Sequence, residues 1–195
     1  MVTNIPDPEN EIWLKIQGAD ENAFSTLFRD YYKRLYVFAA RLVKDLESAE
    51  NIVQDVFVKL WINKNEINIT RSIKAYLYTA VKNQSLNYLE QNKRLISIDD
   101  SLNLPESNID SPEENIIKNE NYKAIQDAIG ELPEKCRRIY LMKKYDDLSY
   151  KEISEVLGIS INTVKTQMKR ALKSLSDKLN YLKLLLILTL WDKLI

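Results

Sequence analysis

Apolar residues recur along this chain at intervals of three and four and almost nowhere at intervals of two. A helix turns once in 3.6 residues whereas a strand alternates its faces, so the spacing predicts helices throughout. In the first half it places them over about Asn10–Gln17, Glu21–Val43, Glu47–Asn63 and Ser72–Lys93. The third carries the clearest pattern. Ile52, Val53, Val56, Phe57, Leu60 and Trp61 form a stripe two residues wide, with Glu50, Gln54 and Asp55 on the other side. Asp45 stands where an N-cap is needed, and Glu47 and Glu50 suit the positive end of the helix dipole. No Asn-Gly or Asp-Gly hairpin turn interrupts the pattern, so the expected fold class is all-α.

The periodicity breaks between residues 94 and 118, where Pro105, Pro112, serines and acids accumulate. The chain therefore divides into a helical domain over 1–93, a flexible acidic linker over 94–118, a second helical domain over 119–180 and an apolar tail over 181–195. In the second domain the punctuation is explicit. Pro133 sits at the first position of a helix, where its missing N–H costs nothing. Ser149 and Glu152 have the spacing of a capping box, Ile153, Val156 and Leu157 give the following helix an apolar face, and Gly158 can end it at positive φ. Ser160 then caps a last helix, whose apolar face is Val164, Met168, Ala171, Leu172 and Leu175.

Two helices joined by Gly158-Ile159-Ser160 form a helix-turn-helix signature, with small Ser154 facing the second helix and Val164 filling the angle between them. The residues left outward are Ser160 at the cap, then Asn162, Thr163, Lys165, Thr166, Lys169, Arg170 and Lys173. Amides, hydroxyls and methyls near the start of such a helix can read base edges, and the later cations neutralise phosphates. The alternative is a basic surface helix in an ordinary bundle.

Composition changes the picture mainly by exclusion. The 195 residues include no histidine, one cysteine and three widely separated glycines. That leaves no Ser-His-Asp triad, no histidine metal ligand, no dinucleotide fingerprint and no P-loop. No enzyme, cofactor or metal site is expected. Cys136 cannot form an intramolecular disulfide, and reads as a small core residue rather than a redox thiol activated by Arg137 and Arg138. Met1–Asn10 carries Asp7 and Glu9 and no apolar run, so it is not expected to be a signal peptide. The formal net charge is zero, but it is unevenly spread: −4 over residues 94–118 and +4 over 160–180. A basic helix beyond an acidic spacer fits a nucleic-acid binder.

In the first domain Lys74, Tyr78 and Lys82 share a helix face, with Tyr76 and Asn83 nearby. Aromatics among cations suit single-stranded DNA, whose bases stack and whose backbone follows charge. From spacing alone, tyrosines on an apolar helix read first as core residues with the hydroxyl at the surface.

Three stretches carry a resemblance: SAENIVQDVFVKLW (Ser48–Trp61), SIKAYLYTAVKNQSLNYL (Ser72–Leu89) and LPEKCRRIYLMKKYDDLSYKEISEVLGISINTVKTQMKRALKSL (Leu132–Leu175). Together they resemble the extracytoplasmic-function sigma factors of the bacterial sigma-70 family, in the right order and over both domains. The resemblance implies that the first domain corresponds to sigma region 2 and the second to region 4. It implies a cytoplasmic transcription initiation factor with core RNA polymerase and promoter DNA as partners, no small-molecule substrate, and an anti-sigma factor of a kind that is often a membrane protein. Carried over by position, Gln54, Asp55 and Lys59 would dock on the polymerase, with Val56, Phe57 and Trp61 holding the core. The Ser72–Leu89 helix and the preceding loop, Ile62–Arg71, would open the −10 element, with Tyr76, Tyr78, Lys82 and Asn83 as contacts. Many relatives have tryptophan where this chain has Tyr76. The Ser160–Leu175 helix would enter the major groove of the −35 element.

The tail departs from the minimal family pattern. Leu184–Trp191 is uncharged, and eight helical residues span only about 12 Å, far short of a bilayer. It reads either as a continuation of the last helix or as a partner-binding or self-associating segment. Two other readings compete with the resemblance: a dimeric operator-binding regulator, and an all-helical adaptor that binds no DNA.

Overall fold

The computed structural model describes residues 8–69, 72–96 and 125–178. Among them there are eight helices and no strand. They are α1 (Pro8–Gln17), α2 (Glu21–Val43), α3 (Leu46–Ile62), α4 (Ile73–Ile96), α5 (125–130), α6 (Glu134–Lys144), α7 (Tyr150–Leu157) and α8 (Ile161–Lys178). The chain divides into two compact units, one built on the amino-terminal helices and one on the carboxy-terminal helices. The all-α expectation holds, and helix ends fall within three residues of those read from the sequence. The largest departure is α4, which runs to Ile96, three residues into the stretch expected to be linker. The rest of that stretch and the apolar tail over 181–195 lie outside the described residues.

In the first unit local chemistry sets each helix end. Asp20 caps α2 by accepting from the amides of Asn22 and Ala23 at 2.9 and 3.1 Å. Lys44 closes the helix in the left-handed region (φ 58°), donating its N–H to the Ala40 carbonyl. Asp45 follows at once and accepts from the Ser48 amide at 2.9 Å, so two residues turn the chain from α2 into α3. So short a connection makes the two helices antiparallel neighbours. The α3 stripe is buried at Ile52, Val53, Val56, Phe57 and Leu60, as are Leu27, Leu35 and Phe38 of α2, the helix on which α3 packs. Each such side chain contributes about 1.5–3 kcal/mol by leaving water. An aromatic ladder of Phe24, Phe28 and Phe57 continues this packing, with ring centroids 4.8–6.1 Å apart. Trp61 is only half-buried, lying 4.9 Å from Phe24 with the Lys64 ammonium 4.1 Å over its ring.

The second unit packs α6 and α8 on each other through Cys136, Ile139, Tyr140 and Met142 on one side and Val164, Met168, Ala171 and Leu175 on the other. Pro133 is the N-cap of α6 rather than its first residue (φ −51°, ψ 138°). A proline ring has no side-chain acceptor, so the cap is made by backbone geometry alone. At the far end, Lys178 pairs with Glu131.

Candidate nucleic-acid and polymerase interfaces

The helix-turn-helix forms as the punctuation predicts. Ser149 and Glu152 cap each other: the Ser149 amide donates to the Glu152 carboxylate at 2.7 Å, and the Glu152 amide to the Ser149 hydroxyl at 3.2 Å. Gly158 makes the turn at φ +66°, where a side chain would be strained. The Ser160 hydroxyl accepts from the Thr163 amide at 3.0 Å and lies 2.9 Å from the Thr163 hydroxyl. Ile153, Val156 and Val164 are fully buried, and Ser154 is buried with its hydroxyl donating to the Lys151 carbonyl at 2.7 Å.

With that side of α8 closed, Ser160, Asn162, Thr163, Lys165, Thr166, Lys169, Arg170 and Lys173 are all exposed. The Thr166 hydroxyl donates back to the Asn162 carbonyl at 2.8 Å, so its methyl and lone pairs are what it offers outward. Leu172, expected on the apolar face, is half-buried at its margin. Sequence reasoning missed Gln167. Its Oε1 accepts from the Cys136 thiol at 3.1 Å across α6 and α8. Only the packing angle of the two helices brings the pair together.

On α4 the four expected −10 contacts do not share one surface. Tyr78 is fully buried, its ring edge-on to Phe38 with centroids 5.0 Å apart. It is a core residue and has no face left for a base, which corrects the −10 contact the resemblance implied for it. Lys82, one turn on, is half-buried on that same side. Tyr76 and Asn83 are seven residues apart and so lie on another face, Tyr76 half-buried and Asn83 exposed. Burial raises the Tyr76 hydroxyl above its ordinary pKa. Ser72 caps the helix, its hydroxyl accepting from the Ala75 amide at 3.2 Å. Of the loop before it, Thr70 and Arg71 lie outside the described residues.

Gln54, Asp55 and Lys59 stand together on the exposed side of α3. Gln54 donates to the Glu50 carboxylate at 3.2 Å, which also accepts from the Tyr32 hydroxyl of α2 at 3.2 Å. Asp55 and Lys59 both hydrogen-bond Gln84 of α4. Val58 and Ile62 are also exposed, at 55% and 69%, and give this face an apolar edge that the sequence reading left out.

Fold and site together define an all-helical DNA-binding protein in two parts, one of them a helix-turn-helix with a basic, polar outer row. The model for sigma-70 region 2 matches residues 27–95 and that for sigma-70 region 4 matches residues 122–175. The ECF RNA polymerase sigma factor SigW of Bacillus subtilis is 27% identical over 174 residues, 85% of this chain and 93% of that protein. The ECF RNA polymerase sigma-E factor of Haemophilus influenzae is 24% identical, covering 85% and 92%. Among solved structures, CnrH in complex with the cytosolic domain of CnrY has a TM-score of 0.60 at 18% identity, covering 89% of this chain and 98% of that one. The sigma factor RpoE in complex with the anti-sigma factor NepR from Bartonella quintana has a TM-score of 0.63 at 21% identity, covering 81% and 97%.

The chain belongs to the sigma-70 family, in its extracytoplasmic-function group. It is a transcription initiation factor that directs RNA polymerase to promoters, the non-catalytic role of that family. The operator-binding regulator and the adaptor give way to this reading. No helix among the described residues is long and apolar enough to cross a membrane.

Proposed function

We propose that the two units divide promoter recognition between them in the bacterial cytoplasm, without catalysis, cofactor or small-molecule substrate. The α8 row from Ser160 to Lys173 enters the major groove of the −35 element. Asn162, Thr163 and Thr166 read base edges there, while Lys165, Lys169, Arg170 and Lys173 hold phosphates. Tyr76 and Asn83 contact the opened −10 strand, Lys82 supplies positive charge to its backbone, and Tyr78 supports the helix from the core. Gln54, Asp55 and Lys59 dock on core polymerase. An anti-sigma factor covers these surfaces when the protein is held inactive, a reading supported by the anti-sigma complexes of CnrH and RpoE.

One observation carries the assignment: eight polar and basic side chains are exposed along α8 and its cap, while Val164, Met168, Ala171 and Leu175 on the opposite side are buried, where the helix packs on α6. The zero net charge supports a division of labour. Two weak DNA contacts held in fixed relation by polymerase gain affinity through effective concentration, whereas a strongly basic chain would bind DNA anywhere. The experiment is transcription by reconstituted holoenzyme carrying Lys165→Glu and Arg170→Glu. Loss of −35-dependent transcription with unchanged co-elution with core polymerase supports the reading. Retained transcription refutes it.

A further inference from the structure

Asp55 and Lys59 lie four residues apart on α3, a spacing at which carboxylate and ammonium ordinarily pair with each other. Among the described residues they form no direct ion pair. The carboxamide of Gln84, from α4, stands between them. Its Nε2 donates to Asp55 Oδ2 at 3.3 Å and its Oε1 accepts from Lys59 Nζ at 3.2 Å. A primary amide offers a donor and an acceptor side by side, so it can satisfy an anion and a cation at once. The three residues close one wall of a groove of about 460 Å³ between α3 and α4, which Asn51, Asn87 and Tyr88 also line.

We propose that Gln84 is a positioning residue for polymerase docking: it holds Asp55 and Lys59 apart, so that both charges face the partner instead of neutralising each other. The inference rests on the docking role given to Asp55 and Lys59 above. It also explains why α4, the helix assigned to the −10 element, contributes to the polymerase-facing surface. Without the amide, rotation of the two side chains lets the Asp55 carboxylate and Lys59 ammonium meet along the helix. The partner then has to break that pair before binding either group. The apolar Met side chain has nearly the volume of Gln and keeps helix propensity, so Gln84→Met removes the bridge with little else.

The test is a double-mutant cycle on the full chain, titrated against core polymerase from its own host. Gln84→Met is expected to weaken binding about fivefold, the size of one charge-assisted contact at a solvated surface. Asp55→Asn weakens it comparably, and Gln84→Met adds less than about twofold in the Asp55→Asn background, because the amide acts through that carboxylate. Thermal melting of the variants stays with the parent, which separates positioning from loss of fold. If Gln84→Met binds like the parent while Asp55→Asn is impaired, the inference is overturned and the docking assignment survives. If Asp55→Asn and Lys59→Met both bind like the parent, the docking assignment fails and takes the inference with it.

Discussion

The thiol of Cys136 donates a hydrogen bond to Oε1 of Gln167 at 3.1 Å, joining α6 to the middle of α8 from within the core of the second unit. Cys136 is 3% exposed, so the sulfur is shielded from solvent, while Arg137 and Arg138 hydrogen-bond the Gly130 carbonyl and Glu134. The bond adds to the burial of Val164, Met168, Ala171 and Leu175, which turns the polar row of α8 outward.

Cys136→Ala is therefore expected to lower the stability of the second unit by about 1–2 kcal/mol, combining a small cavity with an unpartnered Gln167 amide oxygen. Chemical denaturation of the full chain would show it as an earlier transition of that unit. The native thiol should react with a maleimide only at the rate of opening, and rapid labelling of the folded protein would contradict the buried geometry.

Tyr140 gives the second unit an alkaline limit. Burial, with a smaller contribution from Tyr145, pushes its hydroxyl up to about 12. A folded value above the unfolded one means the neutral form is favoured by folding. The corresponding stability is complete below about pH 10 and is lost as pH rises through about 12. Tyrosinate absorbance should show an ionisation near pH 12 that is absent from Tyr140→Phe, and an unchanged titration of that variant would contradict the assignment.

At the α2–α3 turn, Lys44 holds φ 58°, a region that costs an L-residue about 1 kcal/mol. Lys44→Gly is expected to stabilise the first unit by about 0.5–1 kcal/mol in thermal or urea unfolding, since glycine adopts this C-cap without strain. A loss of stability would mean that the lysine side chain contributes more than its backbone conformation costs.

The outer row of α8 should separate by salt dependence. Replacing Lys169 or Lys173 by Ala removes one phosphate contact each, so the slope of log affinity against log salt for holoenzyme on promoter DNA should fall by about 0.9 per residue. Asn162→Ala should leave the slope alone and relax base preference within the −35 element. Equal slopes for the parent and both lysine variants would remove these lysines from the backbone contacts.

Tyr78→Ala tests the reassignment on α4. A core position predicts a loss of about 3–5 kcal/mol from the first unit, with transcription failing only as the fold fails. A stable variant defective only in opening the −10 element would return Tyr78 to the DNA surface.

Helix positions, their caps and the outer row of α8 were legible in the amino-acid sequence because each depends on neighbours within about one turn. Asp45 and Ser48, Ser149 and Glu152, and Ser160 and Thr163 meet as soon as their helix forms. The α8 row follows from the same logic, since a helix whose Val164, Met168, Ala171 and Leu175 are buried leaves the intervening residues outside. The tertiary structure decided the rest. Spacing put Tyr78 and Lys82 on one face, but whether that face meets solvent or Phe38 depends on how α4 crosses α2, 40 residues away in the chain. Cys136 with Gln167, and Gln84 with Asp55 and Lys59, join side chains 25 to 31 residues apart. No local periodicity records such pairs, because the distance between two helices is set by all the side chains packed between them.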